Sequence, residues 1–156
     1  MTNITNFFFV LLLATACSIF SFAQTTKKIL TKTESINTSN QAVKTTAAYA
    51  EVLLRKTELI AELEELLVSY NEEYPKVIKA RFESDLLQKD MTRLLAVNGS
   101  EISKLTSALG KLLVRKAELE TNLWDAQRLY GNEHPNVKRA KRKVEIFEQA
   151  IKEILP

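Results

Sequence analysis

From Leu53 onward the chain repeats itself at a fixed offset of 60 residues, without a gap. Laying Leu53–Leu95 on Leu113–Leu155 aligns 43 positions, of which 12 are identical, where chance would give about three. The identities include Leu59/Leu119, Leu63/Leu123, Tyr70/Tyr130, Pro75/Pro135, Val77/Val137 and Ala80/Ala140. Whatever one unit folds into is therefore built twice.

Each unit reads as two helices around a short turn. Apolar residues recur at alternating steps of three and four, as along Leu59, Leu63, Leu66 and Tyr70, or Val137, Ala140, Val144, Phe147 and Ile151. That spacing is the seam of a left-handed coiled coil. With three glycines and three prolines in 156 residues, a β-rich fold with a turn every ~8–12 residues is excluded. Asn71 and Gly131 are expected to end helices in the left-handed region. Pro75 and Pro135 suit the first turn of the helices that follow, where a missing N–H costs nothing. Asn98-Gly99 stops the second helix, and Ser100 is the expected N-cap of a third that starts well before its repeat equivalent.

The predicted fold is all-α: two antiparallel coiled-coil hairpins, over residues 48–97 and 98–156, closing into a four-helix up-down bundle. Folding each unit about its turn places Leu59 opposite Leu87 and Leu119 opposite Phe147. Lys56 and Lys116 fall at equivalent seam positions. Their stems are expected to cover Met91 and Ile151 while the ammonium groups reach water, and a register-fixing role is the alternative.

Residues 1–23 carry no charged side chain, and Phe7–Ala23 is almost continuously apolar. With Ser21 and Ala23 at −3 and −1 of a cleavage point, this segment reads as a secretory signal peptide. Lipidation at Cys17, after Ala14-Thr15-Ala16, and an uncleaved N-terminal membrane anchor are the two alternatives. Residues 24–47, rich in Thr, Ser, Asn and Lys, read as a flexible polar linker. The expected location is thus outside the cytoplasm, either periplasmic or secreted.

Two surface features stand out. The first unit carries a second apolar stripe, Leu53, Ile60, Leu67, Ile78, Phe82 and Leu86, too wide for a two-helix hairpin to bury alone. Several repeat equivalents are polar: Glu120, Gln127, Lys138 and Arg142. Either the second hairpin or another chain, by a protein partner or self-association, is expected to cover this face. The second feature is Lys138, Arg139, Lys141, Arg142 and Lys143 near the start of the last helix. Cations there oppose the helix dipole, so pairing with the acidic first helix or Asp125 is expected. The alternative is an anionic lipid or glycan. Nucleic acid is not expected, because aromatic interleaving is absent.

Catalytic chemistry finds no footing. The single histidine, His134, has no second ligand at metal-binding spacing and is expected to pack or hydrogen-bond in the turn before Pro135. Glu62, Glu64 and Glu65 form a solvated face. Neither a phosphate-binding glycine loop nor a nucleophile elbow occurs, so no enzyme activity, cofactor or metal is expected.

The turn Tyr130-Gly131-Asn132-Glu133-His134-Pro135-Asn136-Val137, followed by a basic amphipathic helix, resembles the Tyr-Gly-x-x-His-Pro-x-Val turn of periplasmic coiled coils in polysaccharide chain-length determinant and exopolysaccharide exporter proteins. Tyr70-Asn71-Glu72-Glu73-Tyr74-Pro75-Lys76-Val77 is a degenerate copy. The resemblance implies a shared helical hairpin in an envelope setting. The paired membrane spans, α/β base domain and kinase domain of such proteins have no counterpart in this sequence. The expected function is therefore that of an exported, non-enzymatic structural or interaction protein of the bacterial cell envelope, with a link to surface polysaccharide machinery. The alternatives are a periplasmic holdase-type chaperone and a lipid- or glycan-binding module.

Overall fold

A computed structural model describes residues 38–155; the expected signal peptide, Cys17 and the first part of the linker lie outside them. Among the described residues every regular element is helical and none is a strand. After a helical segment at 38–44 come α1 (Ala47–Ser69), α2 (Pro75–Leu95), a 3-10 helix (Gly99–Lys104), α3 (Ser107–Leu129) and α4 (Pro135–Ile154).

The offset of 60 persists in the local structure. Thr46 and Thr106 occupy the N-caps of α1 and α3, accepting from Tyr49 N and Leu109 N at 3.4 Å. Each side chain satisfies one amide that the helix start leaves unpaired. Tyr70 and Tyr130 are the C-caps, and Pro75 and Pro135 begin α2 and α4.

Four expectations change. α3 starts in step with α1 rather than earlier, because the residues after Asn98 wind as a 3-10 helix and the cap is Thr106, not Ser100. The tight turns do not use a left-handed glycine: Gly131 lies outside that region, and the break is made by extended backbone at Tyr70 and Tyr130, with φ of −129° and −133°. Turn bonds from Tyr74 N to Asn71 O and from His134 N to Gly131 O then reverse the chain. The end of the expected linker, residues 38–47, is mostly helical, and Val43 is fully buried in the core. Lys116 does not snorkel, being buried beside carboxylates described below.

The core sits where α1, α2 and α3 meet. Val43, Ala48, Val52 and Leu59 pack with Leu87, Met91 and Leu94 and with Leu105, Leu109, Leu113 and Ala117. α1 lies against both α2 and α3, and α2 also touches α3. α4 packs along α3 and makes at most marginal contact with the other two α-helices, although Ile151 reaches the core. Leu105 and Leu109, which α4 is too short to cover, are thus buried near the start of α1. There Ala48 N donates to Leu105 O at 3.2 Å and Ser107 Oγ donates to Glu51 at 2.8 Å.

Candidate interaction surfaces

The structure divides the six-residue apolar stripe in two. On α2, Ile78, Phe82 and Leu86 are half-buried. Phe82 stacks on Trp124 of α3, with ring centroids 4.7 Å apart and 13° between planes. Arg128 lies over the same indole, its guanidinium carbon 4.7 Å from the ring centre, a cation–π contact. α3 therefore supplies a neighbour for Phe82, and Leu86 packs against the core. The α1 half stays open: Leu53, Ile60 and Leu67 remain 43%, 46% and 36% exposed. Their spacing of seven residues puts them in one line along the helix.

Trp124 escaped the reading of the sequence, though a signal was present. Phe82 and Trp124 stand where the other repeat has Arg142 and Glu64. Two large aromatic residues that each replace a charge in the matching unit mark a contact made between the units rather than within one.

Buried charge was also missed. Glu83 on α2 accepts from Arg55 Nε at 3.0 Å and from a terminal Arg55 nitrogen at 2.8 Å. Burial works against the charged Arg55, but the Glu83 hydrogen bonds and charge outweigh it and raise its pKa. Asp90, only 2% exposed, faces Lys116 of α3 at 3.4 Å, and Lys116 also pairs with Glu120 at 3.3 Å. Asp90 Oδ2 has no hydrogen-bond partner among the described residues. The Lys116 contact is close enough for charge pairing but lacks hydrogen-bond geometry. Burial pushes the Asp90 carboxyl above its ordinary value, and Lys116 and Arg93 pull it back only in part.

The basic residues of α4, Lys138, Arg139, Lys141, Arg142 and Lys143, are all exposed. Pairing with α1 or Asp125 is not found among the described residues. Lys138 pairs with Glu133 and Arg142 with Glu145, both close in sequence, while Arg139 donates to Asn136 Oδ1 at 2.8 Å. For α1 the geometry explains this, because α4 is laid on α3 and scarcely touches α1.

His134 stacks on Tyr130 with centroids 4.3 Å apart, and its Nδ1 accepts from Asn136 N at 3.2 Å. It caps α4 and shapes the turn. Tyr70 and Tyr74 form the equivalent stack at 4.0 Å in the first turn. No group of histidine, cysteine and carboxylate side chains suited to a metal occurs among the described residues. No described helix is long and apolar enough to cross a membrane.

Comparison with protein-family models, curated proteins and solved structures finds no match to this chain.

Proposed function

We propose that the chain is an exported, non-enzymatic helical interaction module of a bacterial cell envelope. In this reading residues 48–97 and 98–156 are tandem antiparallel hairpins, arranged up-down in one bundle. The matched caps and prolines of α1 with α3 and of α2 with α4 support the tandem arrangement. The apolar run at Phe7–Ala23 followed by a polar segment supports export. The Tyr-Gly-x-x-His-Pro-x-Val resemblance supports the envelope setting and a role beside surface polysaccharide machinery.

The observation that carries the reading is the open line Leu53–Ile60–Leu67 on α1. Three large aliphatic side chains aligned along the edge of a helix whose adjoining side is already buried form a surface for another protein, and a module with no further role would gain solubility from polar residues there. Cell fractionation with N-terminal mass spectrometry, combined with a photo-crosslinking residue at position 60, tests the reading. Export with cleavage after Ala23 and a discrete crosslinked protein adduct are expected. A cytoplasmic chain, or position 60 crosslinking to nothing, opposes it.

The exposed cations of α4 favour a second reading, as an anionic-surface module. Salt-sensitive pelleting with phosphatidylglycerol vesicles or an acidic polysaccharide separates it from the first. The holdase alternative draws on the same open α1 line and is tested by suppression of aggregation of an unfolded outer-membrane protein.

A further inference from the structure

Two surfaces on this chain match each other in chemistry yet do not meet within it. α1 carries five glutamates against one arginine and one lysine. Arg55 is already engaged by Glu83 and Glu58, and Lys56 donates to Gln88 at 2.5 Å. Glu62, Glu64 and Glu65 are exposed and have no ion-pair partner among the described residues. Glu64 lies one turn from both Ile60 and Leu67 on the open apolar line Leu53–Ile60–Leu67, while Glu62 and Glu65 lie on the farther flank of the same helix.

α4 is the opposite in charge, with six lysines and arginines against three glutamates. Its outer side presents Ile146, 52% exposed, at helical spacing from Arg139 and Arg142. Lys141 and Lys143 have no ion-pair partner among the described residues. α1 is thus an acidic helix with an apolar line, α4 a basic helix with an apolar knob, and packing on α3 keeps α4 away from its own α1.

We propose that a second copy of this chain joins these surfaces. α1 of one protomer packs on α4 of its partner, and α4 on the partner's α1, as a closed twofold dimer. Twofold symmetry makes each contact twice. This doubles the buried area toward the ~1,200–2,000 Å² of a stable interface, which one helix-on-helix contact does not reach. Opposite charges at the rim set the register and disfavour α1 on α1 or α4 on α4. The proposal rests on the reading of the chain as an interaction module, but its test is made in solution and is independent of export and of any envelope partner.

The test is a charge swap read by sedimentation of the purified full chain. One variant carries Glu64→Lys and Glu65→Lys, which makes both surfaces basic. The other carries Arg139→Glu and Arg142→Glu, which shifts both surfaces toward negative charge. All four residues are exposed, and circular dichroism melts confirm that each variant folds. The wild type is expected to sediment as a dimer. Each variant alone should associate at least about tenfold more weakly. An equimolar mixture should regain the dimer as a one-to-one heterodimer, since attraction returns at both contacts. A wild-type monomer at all concentrations overturns the proposal, as does a dimer that neither variant weakens, or an open series of larger oligomers. A monomer that instead pellets with phosphatidylglycerol vesicles, and loses this with Arg139→Glu and Arg142→Glu, assigns α4 to a lipid surface and also overturns it.

Discussion

Lys116 of α3 stands 3.4 Å from Asp90 of α2, with both side chains withdrawn from water at 8% and 2% exposure. A buried pair of this kind is weak as a source of net stability, because taking each charge out of water costs several kcal/mol. Breaking it is a different matter. Lys116→Met leaves Asp90 buried with only the exposed Arg93 for a charged neighbour, and should cost about 3–5 kcal/mol. Replacing both, with Asp90→Leu and Lys116→Met, should be near neutral or stabilising by up to about 4 kcal/mol. Urea unfolding of the two variants and the wild type measures both. A double variant as weak as the single one would show that the pair contributes favourably in itself.

The same carboxylate predicts a pH dependence. The Asp90 pKa is raised in the folded chain, mainly by burial. Between its unfolded value and this raised value, the folded state holds a proton that the unfolded state has lost. Stability from this group is therefore full below the unfolded pKa and is lost as pH rises through the folded one. Glu72, lowered by its hydrogen bond to Arg81, acts in the opposite sense, but that pair is at the surface and salt screens it. The wild type at high salt should thus gain stability on mild acidification. Asp90→Asn should remove that gain, as read from urea midpoints across pH, and an unchanged pH profile in the variant would place the gain elsewhere.

Phe82 and Trp124 give a third test. Complete burial of an aromatic would make Phe82→Ala cost about 3–5 kcal/mol, but Phe82 is only half-buried. The expected loss is about 2 kcal/mol, and it should not depend on protein concentration, since the stacking partner is in the same chain. A double-mutant cycle with Trp124→Ala should return a coupling of about 0.5–1.5 kcal/mol. No coupling would mean that the two rings do not stack in solution.

These residues show where the sequence is legible and where it is not. The helices and their starts at Pro75 and Pro135 can be read because periodicity and proline chemistry act locally. Glu83 and Asp90 cannot be read as buried, since a carboxylate beside an apolar seam has the same pattern whether water or an arginine covers it. Phe82 was legible as apolar without cause, while its partner Trp124 becomes visible only when the two repeats are compared for exchanged charges. The α1 half of the apolar stripe and its α2 half look alike in sequence. Only the position of α3, set by contacts distant in the chain, separates an open line from a half-covered one.

Val43 tests the boundary that composition obscured. It lies in a stretch of polar residues typical of a linker, yet it is fully buried with Ala48 and Leu105 in the core. Val43→Ala should cost about 1.5–3 kcal/mol, from two lost methyl groups and the space they leave. Asn40→Ala, a few residues earlier and only half-buried, should change stability by less than about 0.5 kcal/mol. Equal effects at the two positions in a thermal melt would return this segment to the linker.

Gly110 sets two magnitudes against each other. It sits inside α3, where glycine costs about 1 kcal/mol relative to alanine, so propensity alone predicts that Gly110→Ala stabilises. The local geometry opposes this. A Cβ at this position would stand 2.9 Å from the Ala48 backbone and 2.7 Å from the Glu51 Cβ, where α3 crosses the start of α1. Neither neighbour is the free end of a flexible side chain, so the helices must separate. That would disturb Leu105 and Leu109 in the core, and the bonds from Ala48 N and Ser107 Oγ that tie the two helix starts together. Overpacking of this kind costs about 1–3 kcal/mol or more when backbone must move. The clash should win, and Gly110→Ala should lower the urea midpoint despite its better helix propensity. At Gly99 and Gly131, where an added Cβ meets nothing within 4 Å, the same substitution should be close to neutral. A stabilised Gly110→Ala variant would mean that α1 and α3 cross less closely in solution than their contact at Ala48 requires.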